Sequence, residues 1–183
     1  LAINIPNILS VVRILCTPLF VILLLKGMFS YALVVFTLAG ITDALDGLIA
    51  RYFNQKTALG AFLDPTADKL LLISAYIILA VLGFIPGWLT VIVLTRDVVI
   101  LIGFFLFTSK NIPLEIKPSL VSKCTTVAQI ATVIVTLLGV QAPLMIKLFF
   151  WFTAGLTTLS GLHYIYVGLN ILQEGLGRQG GAG

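Results

Sequence analysis

Residues 29–50 read FSYALVVFTLAGITDALDGLIA, and only two side chains in that run are charged, Asp43 and Asp46. Crossing the hydrocarbon core of a bilayer takes about 20 mostly apolar residues in a helix. A run of this length and composition is therefore expected to span a membrane. The two aspartates stand near its end, just before the polar stretch from Arg51 to Thr57. The rest of the chain is built in the same way. Of its 183 residues 60% are hydrophobic and 10% charged, with a mean hydropathy of +1.15. A soluble domain carries about 25% charged residues, so this chain lacks the polar surface to coat itself in water. That excludes disorder, an ordinary soluble enzyme and a basic nucleic-acid arm. An all-α integral membrane protein is expected.

Further apolar runs of spanning length fall near 8–26, 62–84, 88–109, 120–141 and 146–172, which makes six transmembrane helices. Lys26-Gly27, the stretch from Arg51 to Thr57, Pro86-Gly87, the stretch from Lys110 to Pro118 and Gln141-Ala142-Pro143 separate them. A short amphipathic N-terminal helix, Ile3 to Val11, is expected to lie in the membrane interface before the first span. Residues 1–173 read as one membrane domain and residues 174–183 as a flexible tail. Cys16 and Cys124 are too few and too far apart for a disulfide framework or a metal site, and are expected to be buried free thiols.

The formal net charge is +4, but the 11 Lys and Arg residues are scattered. They suit orientation and contact with anionic headgroups better than nucleic acid, which is not expected as a partner. Arg51 and Lys56 stand between spans two and three, and Lys110 and Lys117 between four and five. The connections near Pro86 and Pro143 hold no basic residue, although Lys147 follows the second and Lys26 is an exception. By the positive-inside rule the basic connections and both termini face the cytoplasm.

Four of the seven acidic residues are Asp43, Asp46, Asp64 and Asp68, at the ends of spans two and three. A carboxylate inside a membrane helix costs about 2.5–3.5 kcal/mol on insertion scales, so four require a compensating partner. Residues three or four apart share a helix face, which pairs Asp43 with Asp46 and Asp64 with Asp68. Two such helices packed antiparallel bring four oxygen donors toward one point. With little imidazole or thiolate nearby, that set suits Mg²⁺ or Mn²⁺. Two divalent ions about 3.5–4 Å apart would neutralise the charge and clamp a phosphoryl group in transfer. Gly47 and Ala50 continue the Asp43/Asp46 face with almost no side chain, Gly60 stands one turn before Asp64, and Arg51 offers a forked guanidinium to a phosphate. Interhelical ion pairs with Arg51, Lys56 and Lys69 would account for two of the carboxylates, not for four on two stripes.

These residues spell D-x₂-D-G-x₂-A-R-x₈-G-x₃-D-x₃-D from Asp43 to Asp68 without a departure. The pattern resembles the signature of the CDP-alcohol phosphotransferases. The likeness extends from Ile5-Pro6-Asn7 and Arg13 through Ser122-Lys123 to Ser160-Gly161 and Tyr164. It implies a six-helix membrane enzyme, usually a homodimer, acting on CDP-diacylglycerol among membrane lipids at the cytoplasmic face, here of a bacterial inner membrane. It also implies that Asp43, Asp46 and Asp64 bind metal, and that Asp68 completes the metal site and acts as general base. Asp43, Gly47, Ala50, Arg51 and Gly60 would hold the cytidine diphosphate. The bond to break is the pyrophosphate of CDP-diacylglycerol, with CMP leaving as an alcohol loses its proton and attacks. Direct attack inverts the phosphorus and a covalent intermediate retains it; both stay open.

The acceptor follows from weaker resemblances. The run Asn4-Ile5-Pro6-Asn7-Ile8-Leu9-Ser10 and the stretch from Thr157 to Tyr164 resemble phosphatidylglycerophosphate synthases, which use glycerol 3-phosphate. Arg96-Asp97-Val98 and Lys117-Pro118 with Ser122-Lys123 are more similar to eukaryotic-type cardiolipin synthases, which use phosphatidylglycerol. Glycerol 3-phosphate stands slightly ahead at this level, with Arg96, Lys117 and Lys123 as acceptor contacts. Arg96 has a second reading, a structural pair with Asp97 or across helices, because an unpaired cation within a span is costly. His163 is expected to be a hydrogen-bonded packing residue, and the Phe and Trp residues to face lipid. Two other classes fit less well. Membrane prenyltransferases spread two aspartate motifs over a longer chain, and an intramembrane-carboxylate cation transporter would not place Arg51 beside its path.

Overall fold

The computed structural model describes the backbone of residues 5–53, 58–109 and 120–180, and the side chains of residues 12–42, 69–103 and 120–170. Within these limits the chain is all helix: α1 (Ile5–Leu25), α2 (Phe29–Phe53), α3 (Ala58–Val81), α4 (Gly87–Ser109), α5 (Leu120–Leu137) and α6 (Pro143–Gly180). The helices form two compact units, one of Leu1–Pro86 with Val133–Gln141, the other of Gly87–Thr132 with Ala142–Gly183.

In the first unit α1 packs against both α3 and α2, and α2 meets α3 over a smaller contact. The turn from α1 into α2 is set by Gly27, whose φ of 71° lies in the left-handed region that favours a residue without Cβ. Met28 N donates to Leu23 O and Gly27 N to Leu24 O, at 2.9 Å each, so the last carbonyls of α1 are satisfied in a Schellman closure. Gly83 ends α3 in the same way, with Phe84 N on Leu79 O at 2.9 Å. The two turns meet where the rings of Phe29 and Phe84 stand edge to face, 5.0 Å apart. Further along the α1–α2 hairpin Phe20 and Phe36 stack at 5.5 Å, both buried.

In the second unit α4 packs on α6, and hydrogen bonds join α5 to α6. Beside buried Leu89, Val93 and Phe150, its interior holds many polar side chains. Thr125, Gln129, Thr132, Thr153, Thr157 and Ser160 are almost wholly buried, while Val91, Val127, Leu144 and Trp151 are exposed. In water this arrangement would be inside out. In lipid, whose tails already solvate Leu and Val, helices gain by turning hydroxyls and amides toward one another. Among the described residues, Leu120–Leu137 and Pro143–Asn170 are long and apolar enough to cross a membrane. The apolar runs Val12–Leu25, Phe29–Thr42 and Lys69–Val81 belong to α1, α2 and α3.

Several expectations change. The interfacial helix expected over Ile3 to Val11 is not a separate element, because α1 runs unbroken from Ile5. Pro6 falls in its first turn, where the missing N–H has no intrahelical partner to lose. The backbone of α6 is helical to Gly180. Cys16 and Cys124 are free, but Cys16 is half-buried and Cys124 exposed. A thiol behaves as a small apolar group, so a lipid-facing position costs little.

Candidate active site

The motif residues divide between two helices of the first unit. Asp43, Asp46, Gly47, Ala50 and Arg51 lie on α2, and Gly60, Asp64 and Asp68 on α3. Their backbone is helical throughout, so the spacings of three and four residues carry each aspartate pair on one helix face. Their side chains, and with them the convergence of the two pairs, lie outside the described residues. The donor set itself fits a hard divalent ion: four carboxylates, with no His or Cys between positions 43 and 68. Among the described residues no other group of three His, Cys, Asp or Glu could hold a metal.

Of the three expected acceptor contacts, Lys117 lies outside the described residues. Lys123 is exposed in the first turn of α5. Arg96, on α4, is 4% exposed, and both of its terminal nitrogens are held by protein. Its Nη1 donates to Asp97 Oδ1 at 2.8 Å. Its Nη2 donates to Ser122 Oγ at 2.7 Å and Ser160 Oγ at 3.1 Å. The Tyr164 ring lies 5.9 Å from the guanidinium carbon, within cation–π range. This is the paired arrangement that the sequence left open for Arg96: one cation, neutralised by its chain neighbour, ties α4 to α5 and α6.

Below this tie runs a seam that sequence reading missed. Thr125 Oγ1 donates to Leu156 O at 3.1 Å, Gln129 Nε2 donates to Thr157 Oγ1 at 3.3 Å, and the Thr132 and Thr153 hydroxyls share a hydrogen bond of 2.8 Å. Its signal was present in the spacing. Positions 122, 125, 129 and 132 on α5, and 153, 157, 160 and 164 on α6, step by three and four, as the inner stripe of a helix pair does. His163 falls off that stripe. It is exposed, and its ring meets that of its neighbour Tyr164 at 6.4 Å, so it is not the hydrogen-bonded packing residue expected.

A model of the CDP-alcohol phosphatidyltransferase family matches residues 3–159. The chain is 34% identical over 190 residues to a cardiolipin synthase (CMP-forming) of Homo sapiens, an alignment that covers 93% of this chain and 63% of that protein. It is 35% identical over 190 residues to the protein of the same name from Rattus norvegicus, with the same coverage. A probable phosphatidylglycerophosphate synthase of Mycobacterium tuberculosis is 43% identical over 100 residues, or 51% of this chain and 48% of that protein. The chain therefore spans less than two thirds of the length of the cardiolipin synthases it matches.

Proposed function

The chain belongs to the CDP-alcohol phosphatidyltransferase family, and from that premise we propose that it transfers the phosphatidyl group of CDP-diacylglycerol to phosphatidylglycerol, forming cardiolipin and releasing CMP. The observation that carries this reading is the unbroken motif from Asp43 to Asp68 on two helices of one unit, in a chain matched along 93% of its length by cardiolipin synthases. A terminal hydroxyl of phosphatidylglycerol attacks the phosphatidyl phosphorus. The bond from that phosphorus to the bridging oxygen breaks, and CMP carries the electron pair away. Asp68 takes the hydroxyl proton as the new P–O bond forms. Asp43, Asp46, Asp64 and Asp68 would hold two divalent ions, Mg²⁺ or Mn²⁺, which would supply positive charge to the leaving phosphate. Gly47, Ala50 and Gly60 leave room for the cytidine diphosphate, Asp43 contacts it, and Arg51 pairs with its phosphate. The basic connections support a cytoplasmic side for this end of the helices.

Glycerol 3-phosphate stood slightly ahead on sequence motifs, and two findings now favour phosphatidylglycerol. The human and rat cardiolipin synthases match 93% of this chain, whereas the match to the phosphatidylglycerophosphate synthase covers 51%. The second is physical. Glycerol 3-phosphate brings a phosphate dianion that needs several available cations, and Arg96 is already committed to Asp97, Ser122 and Ser160. Phosphatidylglycerol brings a neutral hydroxyl on a singly charged diester already held in the membrane. The test offers purified protein CDP-diacylglycerol and Mg²⁺ or Mn²⁺ with phosphatidylglycerol, glycerol 3-phosphate or inositol phosphate separately. CMP release with phosphatidylglycerol alone is expected. Release with glycerol 3-phosphate alone overturns the acceptor, and no release from folded protein with any of them overturns the activity.

A further inference from the structure

Arg13, on α1, is 3% exposed. Burying a guanidinium without a counter-charge is strongly unfavourable. Its unit offers few candidates. The chain has seven acidic residues, and three of them, Asp97, Glu115 and Glu174, fall in the other unit. Every acidic residue in the unit of Arg13 is therefore one of the four motif aspartates.

The register of the α1–α2 hairpin narrows this further. Phe20 faces Phe36 across the hairpin at 5.5 Å. Seven residues make two turns of an α-helix and return to nearly the same face, about 20° away. Seven residues before Phe20 is Arg13, and seven after Phe36 is Asp43. The same pairing holds toward the Gly27 turn, where Leu24 and Ala32 are both buried, and midway, where buried Ala39 falls level with Thr17. Arg13 and Asp43 thus occupy facing positions, about 10.5 Å along the helices from the phenylalanine pair.

We propose that Arg13 is a positioning residue for the aspartate site, the fixed counter-charge facing Asp43 across the α1–α2 hairpin. It rests on the reading of the four aspartates as a metal site. Arg13 offsets part of their mutual repulsion before metal enters and orients Asp43 toward it. The charge that orients the carboxylate also opposes the ion, so the site holds its metal less tightly than four free aspartates would.

That opposition gives the test its sign. Mn²⁺ alone is titrated into purified protein without lipid substrate, and free Mn²⁺ is read by its electron paramagnetic resonance signal. Arg13→Gln is expected to bind Mn²⁺ more tightly, by about three- to tenfold from the loss of one unit charge at short range, while its CMP release falls. Arg13→Lys is expected to restore wild-type Mn²⁺ affinity. A merely structural arginine would leave the affinity unchanged or lower it, and either result in folded Arg13→Gln overturns the proposal. Wild-type protein that binds no Mn²⁺ overturns the metal reading of the aspartates and this proposal with it. If Arg13→Gln does not fold, Arg13→Met/Asp43→Asn is compared with its parent single variants. A thermal midpoint above that of Arg13→Met supports the pair, and strictly additive losses overturn it.

Discussion

Arg96 of α4 reaches Ser160 of α6 at 3.1 Å, and the same nitrogen, Nη2, reaches Ser122 of α5 at 2.7 Å. Three helices of one unit thus close on a single side chain whose charge is met by Asp97, itself 1% exposed. Neighbours in sequence do not ordinarily face one another on a helix, so the guanidinium must lie along α4 to reach Asp97. The pair is neutral as a whole, which is how two ionised groups can occupy an interior at membrane depth.

Removing one partner leaves the other charged and buried. Arg96→Met is expected to cost about 3–5 kcal/mol, the usual loss when a buried pair is broken from one side. Arg96→Met/Asp97→Asn is expected to recover more than half of that. Thermal unfolding in detergent reads both. A folded Arg96→Met protein of wild-type stability that has lost affinity for the acceptor would instead make Arg96 a substrate contact.

The Thr132–Thr153 bond, 2.8 Å long and buried, is the simplest element of the α5–α6 seam. Hydrogen bonds between membrane helices are worth about 0.6 kcal/mol on average in double-mutant cycles, since the separated helices also find partners. Thr132→Val and Thr153→Val should each destabilise, and the double variant should fall short of their sum by about that much. Thr132 also bonds Ala128 O at 2.8 Å, so its single variant is the costlier. A coupling of zero would reduce the seam to packing.

Helix positions were legible in the sequence because membrane spans follow length and apolarity: the run 88–109 became Gly87–Ser109, and 29–50 became Phe29–Phe53. The start of the first helix was not legible from polarity. The composition change near residue 11 does not end a helix, because α1 is continuous from Ile5 to Leu25. The aspartates stood out because carboxylates are rare where they are expensive. The fate of Arg96 did not, because its partners Ser122 and Ser160 lie 26 and 64 residues away and only the packing of three helices brings them together.

Trp88 and Trp151, the chain's two tryptophans, lie 4.8 Å apart in one unit, at 41% and 67% exposure. Indole prefers the boundary between hydrocarbon and headgroups. In vesicles, intrinsic fluorescence should be quenched strongly by lipids brominated on the acyl chain and weakly by aqueous acrylamide. Trp88→Phe should also change the near-ultraviolet circular dichroism of the remaining indole, which loses its stacked partner. The opposite order of quenching would place this face in water.

Asp68 separates binding from chemistry. Placed one turn after Asp64 on α3, it is proposed both to complete the metal site and to take the acceptor proton. Asparagine keeps an oxygen donor but cannot hold a proton from an alcohol. Asp68→Asn should therefore retain most metal-dependent binding of CDP-diacylglycerol and lose about 10²–10⁴-fold in CMP release, the range for a general base. Asp43→Asn and Asp46→Asn, which would remove charge from the proposed metal site without touching the proton, should lose lipid binding and turnover together. Binding is followed by retention of radiolabelled CDP-diacylglycerol with Mn²⁺, and turnover by CMP. Full turnover in Asp68→Asn would remove it as the base, whereas loss of binding equal to that of Asp43→Asn would leave it a metal ligand only.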